Sequence, residues 1–450
     1  MSKVCLISLG CPKNVVDAEE ILGEVEKAGH EIEADPSAAE VLIVNTCGFI
    51  QSAKEESIDA VLDAVRYKTN GACRSVIVTG CLAQRYGQQL AGELPEADAF
   101  LGLSDSRRIA ETITRTLDGN KTVEIGEPGS WWTKTGNRVL STSPWTSYLR
   151  VADGCDNRCT YCAIPGIRGG FRSRSEQDIL SEAGALADSG VKELNLVAQD
   201  ITRFGMDTDG RQRLPWLMDK LAAIEGIRWI RLLYCYPTLV SSELIETIAS
   251  NEKVCNYIDI PLQQCSDRIL RMMGREGSKR EYLDLFARIA ERIPEAALRT
   301  TFIVGFPGET EEDFEEMVDF VREVKFDRMG IFPYSSEEDT PAARLPGKVG
   351  KSTVERRCER LMEVQHEISL EKNKGLIAKE MEVLIESIDG GSAVGRSYRD
   401  APEIDGVVRI ENAGNLEPGD FASVIITDAS EHDLIGNPVN PRSAVLQSEI

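Results

Sequence analysis

A strand-like run at residues 148–152 leads directly into Asp153-Gly154-Cys155-Asp156-Asn157-Arg158-Cys159-Thr160-Tyr161-Cys162. No other feature constrains the fold as much. Three thiols spaced C-x-x-x-C-x-x-C stay together in any conformation, and here they follow a strand. Further strand-like runs come at 193–197, 229–234, 257–260, 298–304 and 329–334. Helical periodicity separates them at 176–188, 217–224, 243–250, 279–292 and 311–324. This alternation predicts the α/β class, with six β/α repeats forming a partial barrel open enough for a large substrate. Functional groups of such barrels lie on the loops at strand C-termini. That rim gathers the cysteine loop, Gln199-Asp200, Tyr236-Pro237, Gln263-Gln264 and Gly305-Phe306-Pro307-Gly308-Glu309.

Three thiolates from one loop hold three irons of a four-iron cluster and leave the fourth open. The amino and carboxylate groups of S-adenosylmethionine can chelate an open iron. An electron from the cluster then cleaves the sulfonium, giving a deoxyadenosyl radical that abstracts a substrate hydrogen. Tyr161 is placed to shield the cluster or pack near the adenine. With Gln199, Asp200 and Gly305 it completes the candidate S-adenosylmethionine contacts. A zinc loop missing its fourth ligand and a chance spacing are the competing readings. The strand before the loop and the repeats after it favour the cluster.

The first third carries a second set. Strand-like runs at 4–9, 41–44 and 75–78 end at Gly10-Cys11, Asn45-Thr46-Cys47 and Thr79-Gly80-Cys81, with helical patterns at 17–28 and 53–67 between them. Right-handed crossovers make such a βαβαβ unit parallel, so all three strand ends share one sheet edge. Ligand sites of open α/β sheets form at that edge. Cys11, Cys47 and Cys81 therefore converge there although 36 and 34 residues separate them. Three thiolates with no nearby histidine suit an iron–sulfur cluster with one open iron better than structural zinc. The alternative is three small core residues, the role expected of Cys5 and Cys73.

The 450-residue chain contains 12 cysteines and no apolar run near the ~18 residues of a membrane span. Its first ten residues lack the apolar core of a signal peptide, so a cytoplasmic protein is expected. In a reducing compartment, patterned cysteines point to metal rather than to disulfides. Cys235, Cys255, Cys265 and Cys358 share no spacing and are read as core or incidental, and His30, His366 and His432 as isolated. The run from Gly347 to Ser352 lacks the glycine spacing and preceding strand of a phosphate loop. A net charge of −23, from 51 basic and 74 acidic residues, opposes bare nucleic acid and suits a basic partner. Solubility alone is the other reading.

After a charged helical pattern at 353–372, short strand-like runs at 381–388, 393–396, 406–410 and 421–427 alternate with turns at Asp389-Gly390-Gly391, Asp405-Gly406 and Pro418-Gly419-Asp420. They predict a small antiparallel barrel of the OB type. Six basic and thirteen acidic residues lie between Lys374 and Arg442, and few aromatics offer stacking surfaces. Docking of a basic protein surface is expected rather than RNA contact, with a purely structural acidic domain as the alternative.

The segments Ser8-Leu9-Gly10-Cys11-Pro12-Lys13-Asn14, Asn45-Thr46-Cys47-Gly48-Phe49-Ile50, residues 53–59 and residues 395–402 resemble the methylthiotransferase family of radical S-adenosylmethionine enzymes. The resemblance spans about residues 1–445 and implies a cluster-binding domain at 1–120, a linker at 121–140, a radical barrel at 141–373 and a TRAM β-barrel at 374–445. It implies two 4Fe-4S clusters, on Cys11, Cys47 and Cys81 and on Cys155, Cys159 and Cys162. One S-adenosylmethionine would methylate sulfur held at the first cluster, and a second would be cleaved at the other. The chain is most similar to the branch that modifies an aspartate β-carbon of small-subunit ribosomal protein twelve, free or in the ribosome. An electron donor such as flavodoxin or ferredoxin is implied as well. The tRNA-modifying relatives typically have Gln-Met at Pro12-Lys13 and more basic TRAM domains. Gln264-Cys265 departs from relatives that often have His and a small residue. The alternatives are a tRNA adenosine methylthiotransferase, which would bind tRNA in a salt-sensitive way, and a non-enzymatic iron–sulfur carrier or sensor, which would form no deoxyadenosine.

Overall fold

Strands Val41–Thr46 and Ser75–Gly80 are buried along their whole length, as near-continuous apolar runs in the middle of a parallel sheet must be. A computed structural model describes residues 1–129 and 138–439. Its first domain is a sheet of β1 (Lys3–Ser8), β2 (Glu31–Ile32), β3 (Val41–Thr46), β4 (Ser75–Gly80), β5 (Ala99–Leu101) and β6 (Thr122–Glu124). Helices α1 (Pro12–Lys27), α2 (Gln51–Asn70), α3 (Cys81–Glu93) and α4 (Ile109–Leu117) accompany it. The strand order is β2-β1-β3-β4-β5-β6 and every pairing is parallel. The connections change direction between β1 and β3, a topological switch point where open sheets bind ligands. Ser8 pairs with Asn45 and Asn45 with Thr79, so the three strands that lead to cysteine end level.

The sheet has six strands rather than three, because β2, β5 and β6 are too short to show periodicity. Since β6 pairs with β5, the first domain continues past residue 120 into the expected linker 121–140. Residues 130–137 of that linker, and 440–445 of the last expected domain, lie outside the described residues.

The middle domain starts with β7 (Thr146–Arg150), followed by β8 (Ala152–Asp153) and β9 (Arg172–Ser173), which pair antiparallel around the cysteine loop. Then come β10 (Glu193–Val197), β11 (Trp229–Leu232), β12 (Val254–Asp259), β13 (Ala297–Val304) and β14 (Arg328–Pro333). They form one parallel sheet in the order β14-β13-β12-β11-β10-β7, the open partial barrel expected from the repeats. Helices α5 (Ile164–Arg168), α6 (Glu176–Asp188), α7 (Met206–Asp209), α8 (Leu214–Ala222), α9 (Ser242–Ser250), α10 (Asp267–Met272), α11 (Lys279–Arg292) and α12 (Glu311–Val324) intervene. The start of α6, α9, α11 and α12 is set by a hydroxyl N-cap on Ser175, Ser241, Ser278 or Thr310. α13 (Lys351–Lys374) packs on β14 and leads to the last domain.

That domain is a closed barrel of β15 (Glu380–Asp389), β16 (Ser392–Ser397), β17 (Val408–Ile410), β18 (Phe421–Ala429) and β19 (Leu434–Pro438), in the order β15-β16-β17-β19-β18. It is not wholly antiparallel as expected, because β17 and β19 run parallel. It docks at the N-terminal ends of the partial barrel. Glu193, the first residue of β10, pairs with Arg396 at 2.6 Å and with Arg231 at 3.1 Å. Burial alone would raise the Glu193 carboxyl, but the two guanidiniums hold it at about 2. Trp229 opens β11 and meets Phe421 edge-to-face. Asp400 pairs with Arg328 at 2.7 Å, and Tyr257 donates to Asp405 at 2.7 Å. Part of this domain's acidity is therefore engaged inside the chain, and the opposite rim is left to the first domain. Among the described residues no helix is long and apolar enough to cross a membrane.

Candidate active site

Cys11 stands at the N-cap of α1, with Pro12 as its first helical residue, and Cys81 is the first residue of α3. Helix N-termini favour a thiolate at both positions. Cys47 lies between β3 and α2, where its N–H donates to Ser57 Oγ at 2.9 Å. Gly10 has φ +95°, and a Cβ there would lie 2.9 Å from the Cys47 Cβ and 3.1 Å from its Sγ. Only glycine lets the Cys11 turn press this close to Cys47. Asn14 ties the three strand ends together. Its Nδ2 donates to the Leu9 and Thr46 carbonyls at 2.8 and 3.0 Å, and its Oδ1 accepts from Cys81 Sγ at 3.5 Å. Burial pushes the Cys81 thiol up to about 12 and raises Cys47 too. Burial also raises Cys11, but the charges of Lys13 and Arg168 outweigh it and leave that thiol below its ordinary value.

The second triad needs no distant strands. Its loop is pinned to the barrel rim by Thr160, whose N–H and hydroxyl donate to the Met273 and Met272 carbonyls at 2.8 and 2.9 Å. Asn157 donates to Asp200 at 2.9 Å and accepts from Arg203 at 2.9 Å. Arg275 donates to Cys159 Sγ at 3.6 Å, to the Tyr161 hydroxyl at 3.3 Å and to the Pro261 carbonyl at 2.7 Å. Burial raises Cys155 to about 11 and Cys162 to about 12. Such thiols become thiolates when a metal displaces the proton. Among the described residues no three His, Cys, Asp or Glu groups converge tightly enough for a single metal ion. A cubane seats each thiolate on its own iron and does not require that convergence.

One guanidinium joins the first triad to the strand that leads into the second. Arg168, the last residue of α5, donates from Nη2 to Asp17 at 2.6 Å, to Asn14 Oδ1 at 2.9 Å and to Cys81 Sγ at 3.5 Å. Its Nη1 pairs at 3.1 Å with Asp153, two residues before Cys155. Asp17 also pairs with Arg150, which meets Glu20 at 2.8 Å. Farther along the seam, Lys54 and Arg85 clamp Glu337 at 3.0 and 2.7 Å.

The other expected residues divide. Tyr161 packs with Phe306 of the loop after β13. Asp200 orders the cysteine loop, and burial raises its carboxyl against the hydrogen bonds from Thr202 and Asn157. Gln199 is half-buried, and its side chain helps hold the Asp153 carboxyl below its ordinary value. Gly305 serves the turn instead: its N–H donates to the Glu309 carboxylate, and a Cβ would strike Val354 of α13. Burial lifts Glu309 to about 7 although Arg357 pairs with it at 2.7 Å. Gln264 donates to the same carboxylate at 3.3 Å. Cys5, Cys73, Cys235, Cys255 and Cys265 are core residues, and Cys358 is half-buried on α13. His366 and His432, expected to be isolated, meet edge-to-face with ring centroids 5.2 Å apart, brought together by the docking of the last barrel on α13. Arg168, Arg275 and Asn14 were not singled out from the sequence as site residues. Asn14 lies within the Ser8–Asn14 motif, whereas neither arginine follows a spacing rule.

Residues 149–321 match the Radical SAM superfamily, residues 3–102 an uncharacterized protein family designated UPF0004, and residues 377–439 the TRAM domain. A ribosomal protein uS12 methylthiotransferase RimO from Pelotomaculum thermopropionicum is 51% identical over 440 residues, covering 97% of this chain and 99% of the relative. The protein of the same name from Geobacter sulfurreducens is 47% identical, with coverage of 97% and 99%. Among solved structures, the radical S-adenosylmethionine methyltransferase TsrM from Kitasatospora setae, with cobalamin and a [4Fe-4S] cluster bound, superposes with a TM-score of 0.54 at 12% identity. That match covers 88% of this chain and 81% of TsrM and shows likeness of fold.

Proposed function

The chain belongs to the family of ribosomal protein uS12 methylthiotransferases, radical S-adenosylmethionine enzymes with two 4Fe-4S clusters, and we propose from this premise that it attaches a methylthio group to the β-carbon of an aspartate in uS12. Cys155, Cys159 and Cys162 are the proposed ligands of one cluster, and Cys11, Cys47 and Cys81 those of the other. When bound, the clusters supply reductive cleavage of S-adenosylmethionine and a platform for the sulfur to be transferred. The observation that carries the reading is the Arg168 bridge, which ties Cys81 of the first triad to Asp153, two residues before the loop triad, through one buried side chain. A two-site reaction needs such fixed relative geometry.

The chain's own residues hold and orient. Arg275 restrains Cys159 and Tyr161 on one side of the loop, and Asn157 and Asp200 restrain it on the other. Gln199 reaches Asp153 at the strand that leads into the cysteine loop, and its amide carbonyl offers an acceptor to a polar ligand on the rim. The reductant is a one-electron carrier such as flavodoxin or ferredoxin, and the reaction takes place in the cytoplasm. A tRNA substrate is less favoured, since the last barrel carries an excess of acidic residues. The test is the mass of uS12 from cells with and without the gene. Loss of one methylthio group on deletion is expected. An unchanged uS12 mass with altered tRNA nucleosides would transfer the chemistry to tRNA.

A further inference from the structure

Lys13, the second residue of α1, is 8% exposed, and its ammonium lies 3.6 Å above the ring centroid of Tyr234. Among the described residues it has no carboxylate within ion-pair distance and no hydrogen-bond partner. The acids around it are engaged elsewhere. Asp153 binds Arg168 and the Gly154 N–H, and Asp17 binds Arg150 and Arg168. Asp259 binds Arg299 at 3.1 Å and accepts from the Tyr234 N–H at 2.9 Å. A ring face offsets only part of what a buried ammonium loses on leaving water. Tyr234 and Cys11 beside it favour the charge, but no carboxylate pairs with it directly.

Tyr234 supplies an independent sign. It follows β11 on the barrel rim with φ +68°, a region that bulky residues rarely enter. Hydrogen bonds hold the strain from both sides, its N–H to Asp259 and its C=O from the Ile201 N–H at 3.1 Å. Such strain marks positions that the surrounding structure over-determines, and these cluster at functional sites. Here it keeps the ring beneath Lys13, two residues from Cys11, where the first triad faces the rim.

We propose that Lys13 is a specificity-determining residue that binds the carboxylate of the substrate's acidic side chain between the first triad and the barrel rim. The proposal rests on the reading that the substrate is an aspartate in a protein. Its competitor is a lysine that merely balances the negative charge of a cluster on Cys11.

The test uses full-length protein with both clusters loaded, titrated calorimetrically with two synthetic peptides. One spans the modified aspartate of uS12, and the other carries asparagine there. Wild type is expected to prefer the aspartate peptide by about tenfold or more, the effect of one charge-assisted hydrogen bond. Lys13→Met should bind both peptides alike, and Lys13→Arg should restore the preference in part. A Lys13→Met protein that keeps the wild-type preference overturns the proposal in favour of charge balance. A wild type that binds both peptides equally overturns it without recourse to any variant. If deletion of the gene also leaves the uS12 mass unchanged, the substrate reading falls as well. A changed mass with equal peptide binding removes only the role of Lys13.

Discussion

The two cysteine triads reach similar ends by opposite routes. Cys155, Cys159 and Cys162 come from one loop that carries its own geometry, and the barrel needs only to pin it through Thr160, Asn157 and Arg275. Cys11, Cys47 and Cys81 come from three strand ends, and their meeting depends on sheet register, on Asn14 and on the close Gly10 turn. A local triad tolerates distant disturbance. An assembled triad reports on the packing of its whole domain, and through Arg168 on the seam with the next.

The largest difference is expected from cysteine removal. Cys159→Ala should reduce deoxyadenosine formation to background, whereas Cys47→Ala should continue to form deoxyadenosine while transferring no methylthio group. Chromatography of the products from one anaerobic incubation reads both. Equal behaviour of the two variants would break the division of roles.

Next comes the bridge. Arg168→Met leaves Asp17 and Asp153 short of a buried partner and should destabilise the apo-protein by about 3–5 kcal/mol, measured by denaturant titration. Lysine should not rescue it, since the guanidinium reaches Asp17, Asn14, Cys81 and Asp153 at once as a fork. A variant of wild-type stability would mean that the triads are not coupled through this side chain.

Two glycines sharpen the comparison at smaller scale. Gly10→Ala and Gly154→Ala each force a side chain onto a positive φ, +95° and +74°, at about 1–3 kcal/mol. Gly10→Ala also crowds Cys47, and at Gly154 a Cβ would press on the Gly170 carbonyl. Each should deplete iron at its own triad alone, as Mössbauer spectra would show. The smallest effect belongs to Arg275→Met, which removes hydrogen bonds to Tyr161 and Pro261 at about 1 kcal/mol each. It should alter the electron paramagnetic resonance signal of the loop cluster and leave the other unchanged.

The same contrast explains what could be read from the residues alone. The loop triad is visible as spacing. The assembled triad is visible because right-handed crossovers bring parallel strand ends to one edge, so Cys11, Cys47 and Cys81 could be grouped across long separations. The helices after Ser175, Ser241, Ser278 and Thr310 are legible as 3.6-residue periodicity, and the structure shows hydroxyl caps setting where they start. The short strands β5 and β6 carry three residues each, too few for a period to show. β19 contains Gly436 and Pro438, which read as turn residues, and its parallel pairing with β17 has no local signature. The roles of Arg168, Arg275 and Lys13 arise from partners far along the chain, which no local pattern encodes.

The central claim is that the two triads hold separate clusters. Its most direct test is the iron content and Mössbauer spectrum of the Cys11→Ala, Cys47→Ala, Cys81→Ala triple variant, reconstituted without oxygen beside wild type. The account predicts that iron falls from about eight to about four atoms per chain. The remaining 4Fe-4S signal should still change when S-adenosylmethionine is added. Iron at the wild-type level, or loss of all of it together with the response to S-adenosylmethionine, would contradict the account.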